Sequence, residues 1–454
     1  MNALAIPSER LAALRRQESE RFVATHPRSM AQAEAARAHF LFGVPLHWMR
    51  DWPGPATLAV ERAQGAALFC ADGMRYSDFC LGDTGAMFGH SPEPLAQAIA
   101  QQAERGLTCM LPSTHTVAVG EALQRVFGLP VWQLALSASD ANRFLLRWAR
   151  ATTGRPQVLV FDGCYHGAVD DTLVDLDVAS GTTVRRPSLL GQVHNHHAHT
   201  RVVPFNDLAA LEAALARHDV ACLLAEPALT NCGLIPPNTG YWPVARELCR
   251  RHGTLFVMDE THTISTALGG YARAHGLEPD AIVIGKAVAG GLPCAVYGVT
   301  TALAQRMVRA KEAAPEGHSG IGTTLSGNAL AMAALEAALT HLHTEANYAH
   351  MLAIAALLQD GLVKRLRAAG RPWTVTRLGA RLELQFMPRT PRHAQDVREL
   401  AQGELESLTH LFMLNRGVLL TPFHNMMLAS PATTPTDVER LLAVFDELLV
   451  ALAD

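Results

Sequence analysis

The chain has 454 residues, more than one ordinary hydrophobic core holds, so two domains or one large domain with a satellite are expected. Hydrophobic residues make up 49% and charged residues 18%, which excludes a disordered chain and fits a globular enzyme. Lys and Arg number 38 against 42 Asp and Glu, a formal net charge of −4, which gives no reason to expect nucleic acid or an anionic membrane as a partner.

The chain opens with "MNALAIPSERLAALRRQESERF", a charged amphipathic helix pattern without the apolar core of a signal peptide. No run reaches ~18 uncharged apolar residues, so no transmembrane helix is expected and a cytoplasmic location is the default. Next, "LAVERAQGAALFCADGMRYSDFC" alternates around Gly65 and a turn at Asp72 and Gly73, which predicts a small antiparallel meander. "SPEPLAQAIAQQAERG" predicts a helix entered through Ser91 and Pro92 and closed by Gly106.

From about residue 115 helical segments alternate with short apolar runs. Helices are predicted in "TVAVGEALQRVFG", "DANRFLLRWARATTG", "DLAALEAALARHD" and "GYWPVARELCRRHG". Strands are predicted in "WQLALS", "QVLVFDG", "VACLLAEP", "TLFVMDE" and "AIVIGK". Uniformly apolar strands alternating with helices imply an α/β fold with a mostly parallel sheet covered on both faces. Ligands in such sheets sit off the carboxyl ends of the strands. Two alanine-rich helices follow, then the alternating stretch "WTVTRLGARLELQFMP", then a last helix, "PTDVERLLAVFDELLVALAD", with Thr436 as its expected N-cap. The division expected is residues 1–80 as helix and meander of a small domain, 81–330 as a large domain, and 331–454 as the rest of a small α+β domain. The eight cysteines show no CxxC spacing and sit mostly in apolar runs, as buried free thiols of a reducing compartment would.

The strand ends carry an unusual set of residues. "WQLALS" runs into Ser137, Ala138 and Ser139; "QVLVFDG" into Tyr165 and His166; "VACLLAE" ends at Glu226; "TLFVMDE" at Asp259 and Glu260; "AIVIGK" at Lys286. Each has a structural reading beside a chemical one. Ser137 and Ser139 serve either as helix caps or as a phosphate cradle at a helix N-terminus. Tyr165 is either a half-buried ring or a ring stacked on a flat cofactor. Asp259 is either a turn residue or a partner for a positive ring nitrogen. Lys286 either snorkels to solvent or, desolvated, is an amine nucleophile that forms Schiff bases. Together the chemical readings meet the protein-side needs of pyridoxal 5'-phosphate (PLP).

At these residues the chain resembles the class III aminotransferases of PLP fold type I, and within them the glutamate-1-semialdehyde aminomutase-like branch. "SASDAN" (residues 137–142) is similar to that family's phosphate loop SG[ST][ED]A, "CYHG" to its YHG, "EPALTNCG" to EPxxxNxG, "MDETHT" to DEVxT, "IGKAVAGGLP" to LGKxxGGGxP, and "TTLSGNALAMAA" to GTLSGNPxAMAA. The resemblance implies a large PLP-binding domain and a smaller domain built from both chain ends. It implies Lys286 as the Schiff-base lysine and Asp259 as the pyridine partner. Ser137, Ala138, Ser139, Tyr165, His166, Glu226 and Thr261 become cofactor contacts, and Thr324 reaches the phosphate held by the neighbouring subunit of a homodimer. Trp48, Arg50 and Asn231 become candidates for the substrate side. The implied activity is amino transfer between an amino acid or amine donor and a keto acid or aldehyde acceptor; the alternative is an aminomutase or racemase on the same cofactor.

The chain departs from the pattern at Ala138, where glycine is usual, at Thr261 in place of valine, followed by His262, and at Thr323 in place of glycine. "LTPFHNMMLASPATT" carries no arginine where several branches hold a substrate carboxylate. A nucleotide-binding module is disfavoured because neither GxGxxG after the first strand nor GxxxxGK[ST] occurs. "HNHHAHT", with His194, His196, His197 and His199, invites a metal site, but no helix or strand pattern fixes its geometry, so it is read as a loop with no metal.

Overall fold

A computed structural model describes residues 6–192, 195 and 198–453. Two compact units divide the chain: residues 1–92, 349–390 and 399–454 form one, and residues 93–348 and 391–398 form the other.

The second unit is built on a seven-stranded sheet among the described residues. Its order is Val131–Ala135, Ala295–Val299, Ala281–Ile284, Leu255–Asp259, Val220–Ala225, Gln157–Phe161 and Thr200–Val203. Neighbours run parallel except at Ala295–Val299, which is antiparallel to both strands beside it. The strands Val220–Ala225, Leu255–Asp259 and Ala281–Ile284 are buried at every residue, as unbroken apolar runs between two helix layers must be. Two strands of this sheet went unread in the sequence, Thr200–Val203 and Ala295–Val299. The second was legible in principle. Only ten residues separate Ile284 from Ala295, too few for the crossover a parallel neighbour needs, so the chain has to return antiparallel.

The helix Ala138–Thr153 begins two residues before Asp140, where its apolar period starts, because Ser137 caps it by accepting a hydrogen bond from the Asp140 N–H. It ends, as read, at a left-handed Gly154.

The first unit contains the predicted meander, Val60–Gln64, Ala67–Cys70 and Arg75–Asp78, extended by Val418–Leu419 running parallel to its third strand. The alternating stretch is a hairpin, Thr374–Leu378 with Arg381–Gln385, joined by Met426–Leu428. Its core gathers Leu358, Leu362, Leu384, Leu441, Phe445 and Leu448 from the helices Glu345–Ala368 and Pro435–Ala451 and from the hairpin.

The last helix corrects one expectation. Its N-cap is Thr434, not Thr436. Pro435 takes the first helical position, which suits a residue with no N–H, and so moves the cap one residue ahead of it. Thr434 and Asp437 form a reciprocal capping box. Thr434→Ala is therefore expected to cost about 1 kcal/mol, roughly a fivefold faster amide exchange in the first turns of Pro435–Ala451. Thr436→Ala is expected to leave that exchange unchanged.

Candidate active site

The strands Leu255–Asp259 and Ala281–Ile284 lie side by side, with Asp259 opposite Val283. That register laces the two turns that follow. The Glu260 N–H donates to the Val283 carbonyl (2.8 Å), the Gly285 N–H donates to Thr261 Oγ1 (3.3 Å), and His262 Nε2 lies 2.8 Å from Lys286 Nζ. Lys286 opens the short turn Lys286–Ala289 with φ of +48°, a left-handed backbone that is rare for a residue with a Cβ. Such strain costs of order 1 kcal/mol and persists where surrounding bonds over-determine it. Gly285 is a necessity: a Cβ there would stand 2.9 Å from Ala138 Cβ and 3.2 Å from Ala138 N. The end of the lysine's strand thus presses on the start of the helix Ala138–Thr153.

That helix start carries Ser137, Ala138 and Ser139. Its first N–H groups have no carbonyl ahead of them within the helix, and its dipole favours an anion. Ser139 Oγ accepts from the Ala168 N–H at 3.0 Å, fixing the loop after Gln157–Phe161 against it. Gly167 in that loop has φ of +84°, and a Cβ on it would run into Ser139.

Asp259 is 4% exposed and has three donors. Asn142 Nδ2 (2.8 Å) and His166 Nδ1 (2.9 Å) donate to Oδ2, and the Thr261 N–H (3.1 Å) to Oδ1. Burial pushes the Asp259 carboxyl up, but His166 and the hydrogen bonds outweigh it and hold the group below its ordinary range. Burial likewise pulls His166 down, but Cys164 and Asp259 together raise it well above the usual histidine value. The pair is an imidazolium against a carboxylate, both out of water. Glu226 is also buried; one oxygen accepts from the Tyr165 N–H (3.0 Å) and the other from Thr230 Oγ1 (2.5 Å), while burial raises its carboxyl.

Of the residues read from the sequence, Ser137, Ala138, Ser139, His166, Glu226, Asp259, Thr261 and Lys286 come together at the carboxyl edge of this sheet. Tyr165 joins them and is 41% exposed. His166 stands behind Asp259. Asn231 donates to Thr230 Oγ1, the hydroxyl that itself donates to Glu226. Thr324 is exposed ahead of the helix Ala329–His341. Trp48 and Arg50 belong to the other unit, where Trp48 stacks near Trp52 and Phe423 and Arg50 engages Asp51 and the Phe42 ring. His194, His196 and His197 fall outside the described residues, and His199 is exposed. Glu260 faces away, satisfied by Thr263 Oγ1 and the N–H groups of Tyr271 and Ala272. Two residues that the sequence reading named only in passing, without a role, also serve the site. Asn142 is a polar residue on the apolar face of an amphipathic helix, a signal that was there to be used. His262 carried no such signal, because its place opposite Lys286 follows from strand register.

The arrangement fits PLP. A cradle closed to any Cβ at Gly167 suits a phosphate. A buried carboxylate held ionised suits a protonated ring nitrogen. An amine at the mouth of the strand between them suits an aldehyde.

Comparison with known proteins agrees. A family model described as aminotransferase class-III matches residues 49–448. A glutamate-1-semialdehyde 2,1-aminomutase of Sorangium cellulosum is 35% identical over 88% of this chain and 90% of that protein. The crystal structure of a glutamate-1-semialdehyde-aminomutase from Pseudomonas aeruginosa PAO1 is 47% identical, with a TM-score of 0.96 over 98% of this chain and 99% of that one; its K286A variant is solved in complex with PMP. An omega-transaminase from Sphaerobacter thermophilus is 25% identical, with a TM-score of 0.84 over 94% and 98%.

The His166–Asp259 pair sets a pH dependence. His166, raised on folding, contributes fully below about pH 6.5 and less as the pH climbs through its folded value. Asp259, lowered on folding, contributes fully above about pH 4 and less as the pH falls through its folded value. In cofactor-free protein, the gap in melting temperature between wild type and the less stable His166→Asn is therefore expected to be widest between about pH 4 and 6.5, and to narrow on both sides.

Proposed function

We propose, for a chain that belongs to the class III aminotransferase family and takes pyridoxal 5'-phosphate as its cofactor, that Lys286 is the covalent attachment point and the proton carrier of an amino-transfer reaction. The observation that carries this reading is the placement of Lys286 at the end of a strand that pairs with the strand ending in Asp259, directly after Gly285, which abuts the Ala138 helix start. When bound, the cofactor supplies an electron sink for a carbon next to the substrate's amino nitrogen.

The chain's residues divide the rest. Ser137, Ser139 and the N–H groups around Ala138 hold the phosphate. Tyr165 covers a ring face, Thr261 packs on the ring and Asp259 holds the ring nitrogen. Glu226 steadies the Tyr165 loop through its backbone. Lys286 takes a proton from the substrate carbon and returns it to a neighbouring atom, a general acid–base role. Thr324 is assigned to the neighbouring subunit of a homodimer, and Asn231, Trp48 and Arg50 to the substrate side.

For the finer reaction we favour intramolecular transfer, an aminomutase acting on a small amino aldehyde of the glutamate-1-semialdehyde class. Support comes from relatives at 35% and 47% identity that carry that name over nearly their whole length. Transfer between two molecules is the second reading, supported by the omega-transaminase likeness and by the Thr261–His262 departure from DEVxT.

The test is to load the protein with PLP and add glutamate 1-semialdehyde alone. Under the first reading the amino group and the aldehyde oxygen exchange places, giving 5-amino-4-oxopentanoate without a second substrate. Turnover only with a separate amine donor and keto acid establishes the second reading instead. Lys286→Ala is expected to lose the visible absorption band and to slow either reaction by about 100-fold or more. A Lys286→Ala protein active at the wild-type rate would sink both.

A further inference from the structure

Lys286 has a close companion that its part in the reading above does not require. His262 is 6% exposed, and its Nε2 stands 2.8 Å from Lys286 Nζ. Both groups are held by rigid turns. The His262 carbonyl accepts from Ser265 Oγ (2.9 Å), and buried Glu260 ties the same turn through Thr263 Oγ1 (2.6 Å) and the Tyr271 N–H (2.9 Å). The Gly285–Thr261 bond fixes the lysine's turn against it.

The two nitrogens constrain each other chemically. An ammonium donates and cannot accept, and an imidazole nitrogen accepts only when it lacks its proton. A hydrogen bond at this distance therefore needs one of the facing nitrogens to be deprotonated. One hydrogen thus lies on the line between Nζ and Nε2.

We propose that His262 is the proton partner of Lys286, taking the proton that Nζ must lose before the amine attacks an aldehyde and returning it to the oxygen that leaves. The inference rests on Lys286 being the attachment point. The step balances. An ammonium first gives its extra proton to Nε2. The neutral amine bonds the carbonyl carbon, one of its two hydrogens and the Nε2 proton join the aldehyde oxygen, which leaves as water, and a carbon–nitrogen double bond remains with the other hydrogen on nitrogen. Nothing is oxidised or reduced.

The test uses cofactor-free protein and two probes. PMP carries an amine and forms no bond with lysine, so its affinity reports whether the site is intact. PLP forms the bond, and the growth of its visible band reports the capture rate. Borohydride trapping then locates the bond, simply, since the chain has three lysines, Lys286, Lys311 and Lys364. In His262→Gln, PMP affinity is expected to stay within about twofold of wild type while PLP capture slows about tenfold or more. In His262→Ala, added imidazole is expected to restore part of the lost rate. Capture by His262→Gln at the wild-type rate overturns the proposal. So does a matching loss of PMP affinity, which makes His262 a structural support, and so does an His262→Ala protein deaf to imidazole should the glutamine variant not fold. If wild type itself yields no trapped Lys286, the attachment reading fails first, and that result is distinct from these.

Discussion

A carboxylate with almost no water around it organises this protein. Asp259 is 4% exposed, and an ionised group so placed is tolerated only when its lone pairs are filled. Its donors come from three separate elements: Asn142 from the helix Ala138–Thr153, His166 from the loop after Gln157–Phe161, and the backbone of its own turn at Thr261. Filling Asp259 therefore brings the cradle helix, the tyrosine loop and the lysine's neighbouring turn to one point. Asn142 donates to the His166 carbonyl as well, so the three are joined twice. The imidazolium of His166 keeps the carboxylate negative where burial alone would neutralise it. A negative charge kept inside a dry sheet edge is also a preorganised partner for a positive ring nitrogen.

The lysine depends on a second constraint, strand register. Asp259 pairs with Val283, and the residues that follow bond across the strand ends. Glu260, Thr261 and His262 meet Val283, Gly285 and Lys286 in that order. A slip of one residue would reverse which side chains face the site. The left-handed backbone at Lys286 is held by these cross-links and by the contact of Gly285 with Ala138. The strain is local, and the bonds that hold it follow two strands that are buried at every residue.

Much of this was legible in the sequence because it rests on local rules. Unbroken apolar runs ending in Asp259, Glu226 and Lys286 gave the strands and the site's edge at once. Gly154 gave a helix end. What escaped was set by pairing partners that no short window contains. The return strand Ala295–Val299 reads like the glycine-rich segment before it, and only the shortness of the connection betrays its direction. Thr436 looked like a cap until Pro435 was recognised as the first helical residue. Asn142 looked like part of a motif, whereas its work is to fill Asp259 from within a helix. Glu260, adjacent to Asp259 and of the same charge type, points the other way because strand neighbours alternate faces, and it anchors the turn Thr263–Ser265 instead.

Two of the departures from the family pattern, Thr261 and His262, lie where this architecture leaves freedom. Asp259, His166, Asn142 and Glu226 each fill a buried valence, so changing one strands another. Thr261 and His262 are differently placed. Thr261 needs only its backbone N–H to serve Asp259, which any residue but proline supplies, and its hydroxyl is spent on Gly285. His262 needs only its carbonyl to hold its turn, and its ring is turned to Lys286. In both, the backbone carries the structural duty and the side chain is released to face the lysine. A family whose members share a cofactor and a fold can vary its chemistry most cheaply at such positions, and in this chain both of them carry groups that hydrogen-bond across to the lysine's own turn.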